Sequence, residues 1–311
     1  MQKTKTESLA EKRRSHPAFL LSAKPLYATD LGAAYAGNAF DLIKLLPSRS
    51  VNAIVTSPPY ALHFKKSYGN VTQADYVDWF LGFAREFRRV LRPKGSLVVE
   101  IGWAWNRGEP TCSIYHFELL VRLVNEAGFH LAEEFYWFNR DRMPSPAEWV
   151  NVQRIRVKDA VTSIWWVSTS PQPSANNRRV LKSYSAEMLR LLKNGYNEGS
   201  RPSGHVQFQI DNGGAIPPNL IEVAHTSSND GYQQYCREHE LTAHPARFPR
   251  QVPDFFVKFL TRRGGLILDG LLSIRALTTC AVQQVAFFPT KASRAPTVMR
   301  GRALGAARLN R

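Results

Sequence analysis

The stretch IVTSPPYALHFKKSYGN, residues 54–70, decides how the rest of this chain is read. It begins in a β-rich run, VNAIVT (51–56), that closes on Ser57-Pro58-Pro59-Tyr60. Two consecutive prolines fix φ, withdraw two backbone donors and push the preceding residue out of helical space. A corner so stiff at the end of an apolar strand implies that something is held against it. The HFKKSYGN that follows sets Lys65 and Lys66 beside Tyr68 and Asn70, a mixture of cations and aromatic faces suited to phosphates and bases.

Outward from the corner, ADYVDWFLGFAREFRRVLR predicts a helix over 74–92, with Arg88, Arg89 and Arg92 near its end, where cations suit the helix dipole. PKGSLVVEIG (93–102) reads as a turn and a buried strand, and SIYHFELLVRLVNEAGF (113–129) as an amphipathic helix closed by Gly128. HLAEEFYWFN (130–139) and DAVTSIWWVST (159–169) read as further strands. Strands alternating with helices predict an α/β sheet with helices on both faces. Residues 170–240 are rich in Pro, Gly, Asn and Ser and have weak periodicity, which suggests either a disordered linker or a loop-built recognition surface, with Tyr, Arg and Asn leaning towards recognition. Regularity returns with a helix at roughly 250–262, which leads through Gly264 and Gly265 into LILD. An acid at the carboxyl end of a parallel strand marks the ligand crevice of a doubly wound sheet, so Asp269 is a candidate cofactor residue.

The charge balance names a class of partner. The 311 residues carry 41 Lys plus Arg against 25 Asp plus Glu, a net charge of +16, and a field of that sign attracts polyanions, nucleic acid foremost. A hydrophobic content of 44% is enough for a full core. Cys112, Cys236 and Cys280 lie far apart without CxxC spacing, so neither a disulfide framework nor a zinc cluster is indicated, and a reducing, intracellular setting is expected. The basic stretch over 1–24 lacks a long apolar core and is read as neither a secretion signal nor a membrane anchor.

Ser57-Pro58-Pro59-Tyr60 resembles the catalytic motif of amino-methylating DNA methyltransferases, in the variant with Ser first that is typical of cytosine-N4 enzymes. TDLGAAYAGNAFDLI upstream and KKSYGNVTQADYVDWF, AEEFYWFN, PSPAEWVN, RPSGH, DNGGAIPPNL and HPARFP downstream follow in order. That set is similar to the PvuII-type modification methyltransferases over about residues 26–269, a group in which the catalytic motif precedes the cofactor motif. The resemblance implies a Rossmann-like methyltransferase fold, a mixed, mostly parallel sheet with helices on both faces and an inserted target-recognition region. Divided on that pattern, the chain has a basic tail (1–25), a catalytic part (26–169), a target-recognition region (170–240), a cofactor-side part (241–269) and an atypical basic C-terminus (270–311). S-adenosylmethionine is the implied methyl donor and double-stranded DNA the substrate, with the target base flipped out of the duplex. A cytoplasmic, nucleoid-associated protein of a prokaryotic restriction-modification system is implied, with a restriction endonuclease as functional partner without a stable complex.

The chemistry assigns roles to residues. The exocyclic amine of cytosine is a poor nucleophile because its lone pair is delocalised into the ring. Acceptors aimed at its hydrogens favour a pyramidal nitrogen, and Ser57 Oγ and the Pro58 carbonyl are the expected acceptors, stiffened by Pro59. Tyr60 is expected to stack on the base, and Glu100, closing LVVE, sits where the family places an acid near the site. His244, Pro245 and Phe248 of HPARFP would wall the donor pocket beside Asp269 and Gly270. Lys65, Lys66 and Tyr68 would contact the DNA beside the displaced nucleotide, with Arg154, Arg156 and Lys158 as similar candidates.

After Asp269 the chain departs from the family. A pattern like D-P-F-x-G-S-x-T-T is expected there, yet the sequence reads DGLLSIRALTT, with Leu271 and Leu272 where the backbone should approach the donor. Residues 270–311 hold seven Lys or Arg, no Asp or Glu, and no clear strand where the next one belongs. This break reads as a shifted reading frame or a replaced terminus and predicts weak donor binding. The alternatives to an active cytosine-N4 enzyme are a catalytically impaired DNA-binding relative and an adenine-N6 methyltransferase.

Overall fold

The computed structural model describes residues 16–62, 71–195, 210–224, 231–240, 249–269 and 283–288. Its centre is a nine-stranded mixed sheet. In chain order the strands are β1 (Tyr27–Ala28), β2 (Gly32–Ala36), β3 (Val51–Thr56), β4 (Leu91–Ile101), β5 (His130–Phe138), β6 (Val161–Ser168), β7 (Leu220–Glu222), β8 (Leu266–Asp269) and β9 (Gln283–Phe288). Across the sheet they lie in the order β1-β2-β9-β8-β3-β4-β6-β5-β7. The run from β2 to β4 is parallel, β6 is antiparallel to both β4 and β5, and β1 and β7 close the edges.

Alternation along the central strands sends successive side chains to opposite layers. Ile54, Leu97, Val99, Trp165 and Val167 face one side, and Val55, Val98, Ile164 and Trp166 the other. The first side is covered by α1 (Ala39–Lys44), α2 (Gln73–Val90) and α3 (Tyr115–Asn125), and the second by α6 (Gln251–Leu260). Both faces being covered explains why these strands are almost continuously apolar. Helix α2 starts at Thr72, whose hydroxyl accepts from the Asp75 N–H, and buries Tyr76, Phe80, Phe83, Ala84 and Phe87 at helical spacing. Arg89 near its end donates to the carbonyls of Ile43 and Leu46, satisfying the last turn of α1.

The expected helices and central strands sit where the periodicity puts them, with ends moved by a residue or a few. Two elements escape it. The strand held to be missing beyond Asp269 is β9, inserted between β2 and β8 and parallel to both, with Asp269 opposite Ala286. Its sequence, QQVAFF, opens on two glutamines and shows no alternation, and pairing along two flanking strands decides it instead. The Pro- and Gly-rich stretch 170–240 is also less separate than its composition suggests. It carries α4 (Ala186–Asn194) and α5 (Gly231–Glu238), and its β7 pairs with β5 through Tyr136 and Leu220. No helix among the described residues is long and apolar enough to cross a membrane.

Candidate active site

Register builds the site. Strands β3 and β4 run parallel with Thr56 opposite Val99, so the corner that ends β3 arrives beside the next residue of β4, Glu100. Ser57 Oγ donates to Glu100 Oε2 at 2.5 Å, and the Tyr60 hydroxyl donates to Glu100 Oε1. Both carboxylate oxygens are thereby held by hydroxyls of one rigid tetrapeptide, which fixes the rotamers of all three side chains. Glu100 is 1% exposed. Burial pushes its carboxyl up to about 6, against the opposing pull of the Ser57 and Tyr60 hydrogen bonds and the positive charge of Arg142. Burial and the neighbouring Glu100 push the Tyr60 hydroxyl well above its ordinary value.

Gly102 makes this arrangement possible. A Cβ at that position would stand 2.1 Å from Tyr60 Cε2, so only glycine lets the ring lie flat against the strand end. The Gly102 carbonyl accepts from the Tyr115 hydroxyl at 2.5 Å, and burial raises that phenol in turn. Tyr115 opens α3 and packs edge-on against Tyr76 of α2, so the helical layer braces the strand end from behind.

The β5–β6 connection, residues 139–160, leaves the sheet beside Ile101, at the same end as the corner. Arg142 in this connection donates to Thr162 Oγ1 at 3.4 Å and supplies the positive charge felt by Glu100. Arg154 is exposed at φ 56°, in the left-handed region. Arg156 is engaged within the chain: its guanidinium lies 3.9 Å over the Trp105 ring and donates to the Pro110 carbonyl at 2.7 Å. Lys158 donates to the Arg140 carbonyl at 2.8 Å.

Asp269 ends β8, next to β3, and is 1% exposed. The Thr56 hydroxyl, at the end of β3, is buried without a hydrogen-bond partner among the described residues. An acid and an orphaned hydroxyl at neighbouring strand ends suit a polar ligand in the crevice between them, the place where doubly wound sheets bind cofactors. Lys65, Lys66, Tyr68, His244, Pro245, Phe248 and Gly270 lie outside the described residues. Among those described, Ser57, Pro58, Pro59, Tyr60 and Glu100 come together, Asp269 stands two strands from Glu100, and Arg154 and Arg156 stand in the neighbouring connection. Sequence reasoning missed Gly102, Tyr115 and Arg142. Gly102 alone carried a signal, a glycine placed directly after an apolar strand.

The profile of the N6/N4-type DNA methylase family matches residues 51–270. The type II methyltransferase M.PvuII of Proteus hauseri is 46% identical over 252 residues, which cover 79% of this chain and 75% of that protein. The type II methyltransferase M.BamHI of Bacillus amyloliquefaciens is 35% identical over 86 residues, 27% of this chain and 20% of its own length. The solved structure of the PvuII DNA methyltransferase (cytosine-N4-specific) superimposes with a TM-score of 0.68 at 38% identity, covering 86% of each chain.

Proposed function

Since this chain belongs to the DNA methylase family, in its PvuII-type cytosine-N4 branch, we propose that it methylates the N4 amine of cytosine at a specific DNA sequence, from S-adenosylmethionine, through the Ser57–Tyr60 corner and Glu100. The observation that carries the reading is the carboxylate of Glu100, buried and held by Ser57 and Tyr60, in a chain so similar to a cytosine-N4 enzyme.

The donor supplies a methyl group activated by a sulfonium, so no metal or covalent enzyme intermediate is called for. Asp269 and Thr56 are the described groups placed to hold it. Ser57 spends its own O–H on Glu100, which turns its oxygen lone pairs outward as acceptors for an amine N–H. The Pro58 carbonyl, on a backbone stiffened by Pro59, is a second acceptor that needs little reorganisation. As the N–CH3 bond forms and the S–CH3 bond breaks, the amine must lose one proton. Ser57 Oγ can take it while passing its own proton to Glu100 Oε2, and a carboxyl raised to about 6 is a better base than a solvated one. The hydrogen bonds from Ser57 and Tyr60, helped by the charge of Arg142, oppose burial and leave Glu100 ionised at neutral pH.

Tyr60 stands beside this acceptor pair with its hydroxyl tied down and its ring over Gly102, which suits a wall for the flipped base. Arg154, with Lys65, Lys66 and Tyr68, is assigned to the DNA backbone, whereas Arg156 shapes the connection that presents Arg154. Residues 170–240 are assigned to target recognition, within the division into parts set out for the sequence. His244, Pro245, Phe248 and Gly270 are assigned to the donor pocket. A cytoplasmic, nucleoid-associated role beside a cognate restriction endonuclease completes the reading. The impaired relative is less favoured because β9, beyond the altered loop, takes its place in the sheet between β2 and β8. Adenine-N6 transfer is disfavoured by the opening serine and by the likeness to a cytosine-N4 enzyme.

The test is product analysis: incubate the purified protein with S-adenosylmethionine and duplex DNA of mixed sequence, then digest to nucleosides. N4-methyldeoxycytidine is expected. N6-methyldeoxyadenosine would move the assignment to adenine, and no methylated nucleoside from folded protein would favour the impaired reading.

A further inference from the structure

Parallel strands put the corner at the carboxyl edge of the sheet, and the amino edge of β3, β4 and β8 is a different surface. Arg262 and Arg263 lie between α6 and β8, and Arg179 ends the short 3-10 turn Asn177–Arg179. The three border a cavity of about 360 Å3 with Ser174, Ala175 and Asn176. The segment is pinned from two sides, by the Ser174 N–H donating to the Lys94 carbonyl at 3.0 Å and the Asn176 N–H donating to the Phe259 carbonyl at 2.9 Å. Its shape is therefore set by the core.

The electrostatics of this cavity are incomplete. None of the described residues lining it is acidic. Arg179 Nε and Nη1 are buried without a hydrogen-bond partner among the described residues, and burial together with Arg262 lowers the Arg179 pKa. The guanidinium groups of Arg262 and Arg263 take part in no ion pair within the described residues. Buried donors on a charged group are costly to leave unmade, and three like charges around one cavity repel unless an anion joins them.

We propose that this cavity is an anion site that takes a phosphate group, separate from the site of methyl transfer. Arginine forks match phosphate oxygens in pairs, and Ser174 and Asn176 add neutral donors at the rim. The six residues of β3 separate it from Ser57 by about 20 Å at roughly 3.3 Å per residue. The phosphate comes either from a DNA segment beyond the target or from a free phosphorylated molecule. The inference does not rest on the methyl-transfer reading.

The experiment compares the full chain with Arg179→Gln and with the exposed pair Arg262→Gln/Arg263→Gln, the second variant guarding against misfolding of the first. One arm titrates inorganic pyrophosphate by calorimetry in the absence of DNA. The other follows the salt dependence of binding to duplexes of about 12 and about 40 base pairs, where each lost phosphate contact lowers the slope by about 0.9. A loss of tenfold or more in pyrophosphate affinity identifies a free anion as ligand. A lower slope with the long duplex alone identifies DNA. Unchanged pyrophosphate affinity and unchanged slopes in folded variants would overturn the proposal, as would wild-type protein that binds no pyrophosphate and shows equal slopes for both duplexes.

Discussion

The two ends of the same strands solve opposite problems. At the carboxyl end of β4 a carboxylate is buried but met on both oxygens by hydroxyls of Ser57 and Tyr60. At the amino end of β8 two buried nitrogens of the Arg179 guanidinium are unmet among the described residues. A satisfied polar network is fixed before any ligand arrives, which is what a transfer reaction needs from groups that must not reorganise. An unsatisfied one favours whatever ligand completes it. The contrast separates a site built for chemistry from a site built for capture, although both are polar and lie at sheet edges.

Substitutions at the satisfied end should act on rate. Ser57→Ala removes both the acceptor and the proton path, and a loss of about 100-fold or more in single-turnover methyl transfer is expected, with donor affinity unchanged by calorimetry. Gly102→Ala would drive a methyl group into the Tyr60 ring. It should cost about 1–3 kcal/mol in denaturant unfolding and slow transfer as well, because the ring cannot move without releasing Glu100. If Gly102→Ala is as stable and active as the parent, the corner is not held as tightly as the contrast requires.

Acidity sharpens the comparison from another side. Glu100 is raised from 4.5 to about 6, so the folded protein binds this proton more tightly than the unfolded chain. Its contribution to stability is full below about pH 4.5 and falls as pH rises through 6, by about 2 kcal/mol in all. Stability measured against pH for the parent and for Glu100→Gln should diverge in favour of glutamine across that window. The smallest effect belongs to neither end. Thr72→Ala removes the N-cap of α2 and should cost about 1 kcal/mol in urea, leaving transfer at saturating substrate unchanged.

Much of this arrangement is legible in the sequence, and the rest is hidden for identifiable reasons. VNAIVT, LVVEIG and LILD declare buried parallel strands because both faces are covered, and the apolar spacing of 74–92 declares α2. Ser57 and Glu100 are singled out by resemblance, and only the register of β3 on β4 places them 2.5 Å apart. Gly102, Tyr115 and Arg142 matter through contacts that cross from one element to another, which periodicity within a single element cannot reveal. Arg156 is a candidate DNA contact in QRIRVK, and its stacking on Trp105, 51 positions away (156 − 105), is a contact that the sequence does not announce. Strand β9 is decided by pairing on both sides, with β8 just before it and with β2 far from it in the chain, and β7 lies within a stretch whose composition says loop.

The central claim is that Glu100, through Ser57, receives the proton released as the cytosine amine is methylated. The most direct measurement is the single-turnover rate of Glu100→Gln with donor and duplex both saturating, taken across pH 5–8 beside the parent. The parent rate should fall below an apparent pKa of about 6, and the variant should be slower by about 100-fold with no such fall. A variant that transfers methyl groups within a few-fold of the parent, with the same pH profile, would contradict the account.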